Sequence, residues 1–75
     1  MFKPGDLIRF KERIVERMLD QPFIYTGSED RMRAIGFVVG REPSQRSGEF
    51  NVIYLVNGSL FSGWEGQYEK VEESV

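Results

Sequence analysis

Apolar and polar positions are patterned most regularly between Phe50 and Trp64. There Phe-Asn-Val-Ile-Tyr-Leu-Val and Ser-Leu-Phe-Ser-Gly-Trp flank the pair Asn57-Gly58. Two β-rich runs separated by an Asn-Gly pair predict a hairpin closed by a type I′ turn, because Asn and Gly accept positive φ at the lowest steric cost. A two-residue turn also sets the register: Val56 opposes Ser59, Leu55 opposes Leu60, Tyr54 opposes Phe61, and Ile53 opposes Ser62. Opposed residues share a face, so Ile53, Leu55, Leu60 and Trp64 lie on one side. Phe50, Val52, Tyr54, Val56 and Phe61 lie on the other. Both faces are apolar. We expect the aliphatic face, with Trp64 as an anchor, to line the core, because it brings no tyrosine hydroxyl that needs a partner.

Upstream, Pro4-Gly5 marks a turn before a strand at Asp6–Phe10. Within Lys11–Leu19, the residues Ile14, Val15, Met18 and Leu19 form a helical stripe. Against a helix stand the like-charge i,i+4 pairs Arg13/Arg17 and Glu12/Glu16 and the lack of a good N-cap, so the segment reads as a short helix or as an extended arm. Pro22 ends either one. Phe23–Tyr25 is a short extended piece and Thr26–Asp30 a polar loop. Ile35–Gly40 is a strand that places Ile35, Phe37 and Val39 on one side and Val38 on the other. Its glycines suit a bulge, a bend or a close backbone approach. Glu42–Gly48 is a hairpin tip, Glu65–Glu69 a turn or single helical turn, and Tyr68–Val71 a last strand, with the 72–75 tail expected to fray.

These pieces predict a mostly β chain folded as a single domain over residues 1–75, with five short strands and an insertion at about 11–34. The runs Pro4-Gly5-Asp6-Leu-Ile-Arg-Phe10, Ile35-Gly-Phe-Val-Val39 and Val52–Trp64 followed by Tyr68-Glu-Lys-Val71 resemble the small SH3-like β-barrel accessory proteins of tailed bacteriophages. The barrel is also similar to KOW and Tudor modules and to small subunits of photosynthetic electron-transfer complexes. The resemblance covers most of the chain outside 11–34. It implies an SH3-like five-stranded barrel and a docking role, of phage accessory or host-takeover type, in the host cytoplasm; it carries over no partner, since fold is not function.

Composition narrows the chemistry. The chain has 75 residues, no His and no Cys, so the commonest general base, the commonest metal ligand and the best nucleophile are missing. The carboxylate pairs Glu29/Asp30 and Glu72/Glu73 read as solvated charge, and no EF-hand spacing or phosphate-loop motif is present. No enzymatic activity, cofactor or metal is expected. With no thiol, no signal-like apolar start and no apolar run near the ~20 residues that cross a bilayer, a cytoplasmic location with no membrane partner is expected.

Protein docking is the leading functional expectation. Tyr54, Phe61 and Phe50, with Tyr25, are the candidate contact residues, since aromatics are enriched at interface centres. The competing reading folds the 11–34 arm over that face through Ile14, Val15, Met18 and Leu19, which closes an ordinary core. A nucleic-acid-binding barrel of KOW-like kind is the alternative, carried by Arg31, Arg33 and Arg41 with Arg13 and Arg17. Against it, the net charge is −2: residues 1–41 hold eight Lys/Arg against six Asp/Glu, and the remainder holds two against six. Self-association through a strand edge or the second apolar face is the third expectation.

Overall fold

The computed structural model describes residues 2–21 and 29–71. The strands are β1 (Leu7–Phe10), β2 (Gly36–Pro43), β3 (Phe50–Val56), β4 (Ser59–Trp64) and β5 (Tyr68–Lys70). Helix α1 spans Glu12–Asp20, helix α2 spans Glu29–Met32, and a 3₁₀ turn occupies Glu65–Gln67. All strand pairs are antiparallel within one sheet of order β4-β3-β2-β1-β5, and the sheet does not close on itself.

Local chemistry accounts for most of the elements. Lys3–Asp6 forms a turn closed by the Asp6 N–H donating to the Lys3 carbonyl at 3.1 Å. Gly5 supplies the positive φ, +96°, that the third position of a type II turn requires, and Pro4 suits the second. The Asp6 carboxylate accepts from the Lys3 N–H at 3.0 Å and lies 3.4 Å from Lys70 Nζ. The Lys3 hydrogen bond and the Lys70 cation hold it below the usual carboxylate range. The β3–β4 hairpin has the register expected from its turn, from Val56 opposite Ser59 to Asn51 opposite Trp64. Asn57 and Gly58 both have positive φ, 50° and 81°.

The glycines of β2 do two jobs. The register shifts between Val38 and Gly40, so Val39 is the extra residue of a bulge. Gly36 lies against the Tyr54 ring, where an added Cβ would stand 2.5 Å from Cδ2. Gly36→Ala is therefore expected to cost about 1–3 kcal/mol through forced displacement of Tyr54, measured as a lowered urea midpoint at unchanged m-value.

Residues 12–20 form a helix, not an extended arm. Lys11 at its N-cap makes no side-chain cap bond, as the sequence implies, so tertiary packing holds it. Val15 and Met18 are buried with Met32 of α2, and Phe10 packs against this group as well as against the sheet. The charged side chains of α1 are drawn outward, and Glu12 pairs with Arg33 at 2.7 Å. Two further expectations need correction. Glu29 and Asp30 open a helical turn, α2, instead of ending a loop, because Met32 gains a buried site against α1. Strand β2 runs on to Pro43, leaving a shorter tip at Ser44–Glu49. The short piece 23–25 and the tail 72–75 lie outside the described residues.

The core face is the reverse of the expected one. Val38 and Val52 are fully buried, Ile8, Tyr54 and Tyr68 nearly so, with Phe2, Phe10, Val56 and Phe61 packed around them. Leu60 and Trp64 are exposed. A polar tip made Tyr54 look costly to bury, but its hydroxyl lies 2.9 Å from that of Tyr68 and the hydrogen bond removes the penalty. The rings add edge and stacking contacts: Tyr54–Tyr68 centroids are 5.1 Å apart, Phe10–Tyr68 4.7 Å and Tyr54–Phe61 5.9 Å. Burial and the shared hydrogen bond raise the Tyr68 hydroxyl well above its ordinary pKa, and burial raises that of Tyr54.

Candidate docking surface

With the aromatic face turned inward, the alternation of β1–β4 places the aliphatic set on the opposite side of the sheet. Phe37 pairs with Leu7 on one flank and Leu55 on the other, and Leu55 pairs with Leu60, so these four form a row across four strands. Ile53 opposes Ser62 in the next row. The bulge sets Val39 beside Gly40 opposite Ile53, which adds a valine to this face. Trp64 ends the surface, its indole lying over Gly66, where a Cβ would come within 2.6 Å of the ring. Relative exposure is 63% for Leu60, 51% for Ile35, 48% for Phe37, 41% for Trp64 and 39% for Val39. At ~150–250 Å² for a large apolar side chain, these fractions amount to an apolar area on the order of 400 Å². A patch of that size, formed mostly from adjacent strands, matches the largest apolar patch of a typical monomer, which is often a functional one.

Charge pairs flank the sheet on both sides. Arg9 and Glu69, opposed across β1 and β5, pair at 2.9 Å. On the core side of the sheet, where the bulge sets it opposite Val52, Arg41 forms a two-pronged, partly buried ion pair with Glu65, one arm of which (Nη2 to Oε1) is 3.0 Å, and its guanidinium lies 4.2 Å from the Phe50 ring centroid. This clamp ties β2 to the 3₁₀ turn, and a bidentate geometry gives it more weight than an ordinary surface pair.

The side chains expected to contact a partner are divided by the fold. Tyr54 is buried and cannot present its ring. Phe61 is half-buried, stacked on Tyr54 and covered by the Arg31 guanidinium at 4.7 Å. Phe50 sits at the end of β3, partly covered by Arg41. Tyr25 lies outside the described residues. Trp64, expected as a core anchor, is a surface residue of the opposite face, because Asn51, and not an inward-facing position, is its partner across the hairpin. The sequence carried a signal for the exposed apolar face: Ile35, Phe37 and Val39 alternate with the buried Val38, and Phe37 pairs with Leu55.

The arginines of the nucleic-acid alternative are not gathered into one groove. Arg33 pairs with Glu12 at 2.7 Å and approaches Glu29 at 3.8 Å, which raises the pKa of Arg33 and lowers that of Glu12. Arg41 is held by Glu65, Arg31 lies on Phe61, and Arg13 and Arg17 are exposed on α1.

Beneath the sheet, a cleft of about 450 Å³ separates Tyr54, Phe61 and Tyr68 from Met18 and Met32, with Arg31 among its lining residues. The helices thus cover the aromatic face incompletely. Among the described residues there is no cluster of three or more acidic side chains placed to hold a metal ion, and no helix long and apolar enough to cross a membrane. The fold and surface together define a small antiparallel β protein with one apolar sheet face turned outward. Comparison with protein-family models, curated proteins and solved structures finds no significant match to this chain.

Proposed function

We propose that this chain is a non-enzymatic docking module of SH3-like kind that binds a protein partner through the outer face of its sheet. The carrying observation is the apolar row Leu7–Phe37–Leu55–Leu60, in which Phe37 and Leu60 are exposed and Leu7 and Leu55 half-buried, with the exposed Ile35, Val39 and Trp64 beside it, while a different set of residues forms the core. Burial of a comparable apolar surface on a partner would remove both from water, at roughly 25 cal/mol per Å² before the costs of association. The SH3-like reading is supported by the strand order, by the pairing of the first strand with the last, and by the 3₁₀ turn between β4 and β5. Protein is favoured over nucleic acid because Arg33 and Arg41 are already paired with carboxylates, and phosphate binding would have to displace them.

The test compares wild type with Phe37→Glu and Leu60→Glu as bait in a nuclease-treated cell lysate. Both positions point away from the core, so both variants should keep the wild-type circular dichroism and urea midpoint. The expected result is a discrete protein retained by wild type through moderate salt and reduced tenfold or more by either variant. Capture that survives both substitutions, or that disappears with nuclease, overturns the reading.

A further inference from the structure

Strand β4 lies at one edge of the sheet and β5 at the other, and the two edges are built differently. Strand β5 is three residues long and carries Glu69 and Lys70. Short length and charge are the ordinary means by which an edge is kept from pairing with another chain. Strand β4, Ser-Leu-Phe-Ser-Gly-Trp, is six residues long with no charged residue and no proline, and its register against β3 is unbroken by a bulge. Among the described residues no strand pairs with its outer side. Short length, charge, proline and a bulge are thus all lacking in β4.

From these observations we propose that β4 pairs with β4 of a second copy of this chain, antiparallel, about a two-fold axis at Ser62. The hydrogen-bonding parity of the hairpin dictates this register. Next to a two-residue turn the closing pair is hydrogen-bonded, and bonded pairs recur at every second residue. Ser59, Phe61 and Gly63 therefore bond to Val56, Tyr54 and Val52, and the N–H and C=O groups of Leu60, Ser62 and Trp64 point away from β3. Setting Ser62 opposite the partner subunit's Ser62 brings Leu60 opposite the partner subunit's Trp64. Every outward backbone group of those three residues then has a complement.

The side chains agree with the same axis. Leu60 and Trp64 are both exposed and lie on the same face, so the pairing creates two equivalent aliphatic–aromatic cross-strand contacts. On the inner face Phe61 comes opposite the partner subunit's Gly63, and in each chain Gly63 is overlain by the Tyr68 ring. An antiparallel strand pair is self-complementary under a two-fold rotation, as an isologous interface must be, and this one brings no like charges together. That self-complementarity selects a second copy over an unrelated strand. The area buried is smaller than the ~800 Å² per partner of a standard interface, so the dimer should dissociate on dilution. The proposal concerns the edge of the sheet and does not depend on the docking role of its face.

Sedimentation velocity over a dilution series tests it. Wild type at ~100 µM should sediment at about twice its 8.7 kDa mass and approach the monomer as concentration falls. Ser62→Pro removes an N–H that points away from β3, so it should give a folded monomer at every concentration. A second variant covers the case in which proline disturbs the fold. Because the chain has no cysteine, a thiol at Ser62→Cys can form only an intermolecular disulfide. Hydrogen-bonded antiparallel pairs place Cα atoms ~5.5 Å apart, within disulfide range. With oxidised glutathione as the electron acceptor, Ser62→Cys should cross-link at least tenfold faster than Ser59→Cys, which the same register separates from its own copy. A monomer at every concentration, equal cross-linking at the two positions, or a dimer abolished by Phe37→Glu but kept by a folded Ser62→Pro each overturns the proposal. None of these outcomes bears on whether the face of the monomer captures a protein.

Discussion

Tyr54→Ala is expected to remove most of the stability of this domain. The ring is buried, contacts Phe61 and Tyr68, and lies directly against Gly36. Deleting a buried aromatic ring costs about 3–5 kcal/mol through lost transfer energy and the cavity left behind. The substitution also strips the Tyr68 hydroxyl of its only described partner, which adds about 1–3 kcal/mol for a buried group left unsatisfied. A chain of 75 residues has about 4–8 kcal/mol in total. Urea unfolding followed by circular dichroism should show wild type with a cooperative transition and Tyr54→Ala with little or none. Leu55→Ala and Leu60→Ala, on the other face, should remain folded with much smaller losses. If Tyr54→Ala unfolds within about 1 kcal/mol of wild type while Leu55→Ala collapses, the faces of the hairpin are assigned the wrong way round.

The contrast between these substitutions marks where the sequence was informative. Everything decided within a few residues was legible: the Asn57-Gly58 turn, the register it imposes, the Pro4-Gly5 turn and the single helical turn before the last strand. The choice of face was not, because both faces of the hairpin are apolar and local pattern cannot rank them. It was decided by a hydrogen bond between tyrosines in different strands and by the close approach of Gly36 to one of them. Helix α1 was ambiguous for a related reason. Its like-charge pairs argue against it as an isolated helix, and the packing of Val15 and Met18 against Phe10 and Met32 outweighs them. The exposed aliphatic face was illegible for the same reason: Tyr54 and Phe61 become candidate contacts for a partner only if their neighbours Leu55 and Leu60 face the core. The arginines were legible as charges but not as pairs, since Arg33 finds Glu12 and Arg9 finds Glu69 across long stretches of chain.

The tyrosine pair also predicts how the domain responds to alkali. Both hydroxyls have pKa values raised above their ordinary value near 10. For such groups the folded chain keeps its protons at a pH where the unfolded chain has released them. Their contribution to stability is therefore fully present below pH ~10 and falls as pH rises past it, continuing until the folded-state values are reached. The slope approaches about 1.4 kcal/mol per pH unit for each tyrosine that stays neutral in the fold. Where both tyrosines stay neutral in the fold the two slopes add, so the stability of so small a domain falls steeply in alkali. The urea midpoint, measured from pH 8 to pH 11.5, should be nearly flat at first and then fall steeply. The double variant Tyr54→Phe/Tyr68→Phe replaces both partners at once, leaves no unsatisfied hydroxyl and retains the ring packing, so it should fold and lose most of that slope. Lysine deprotonation acts on wild type and variant alike, and the difference between the two curves isolates the tyrosines. Parallel curves would mean that one or both hydroxyls reach water in the folded state, and that the core is held by the rings alone.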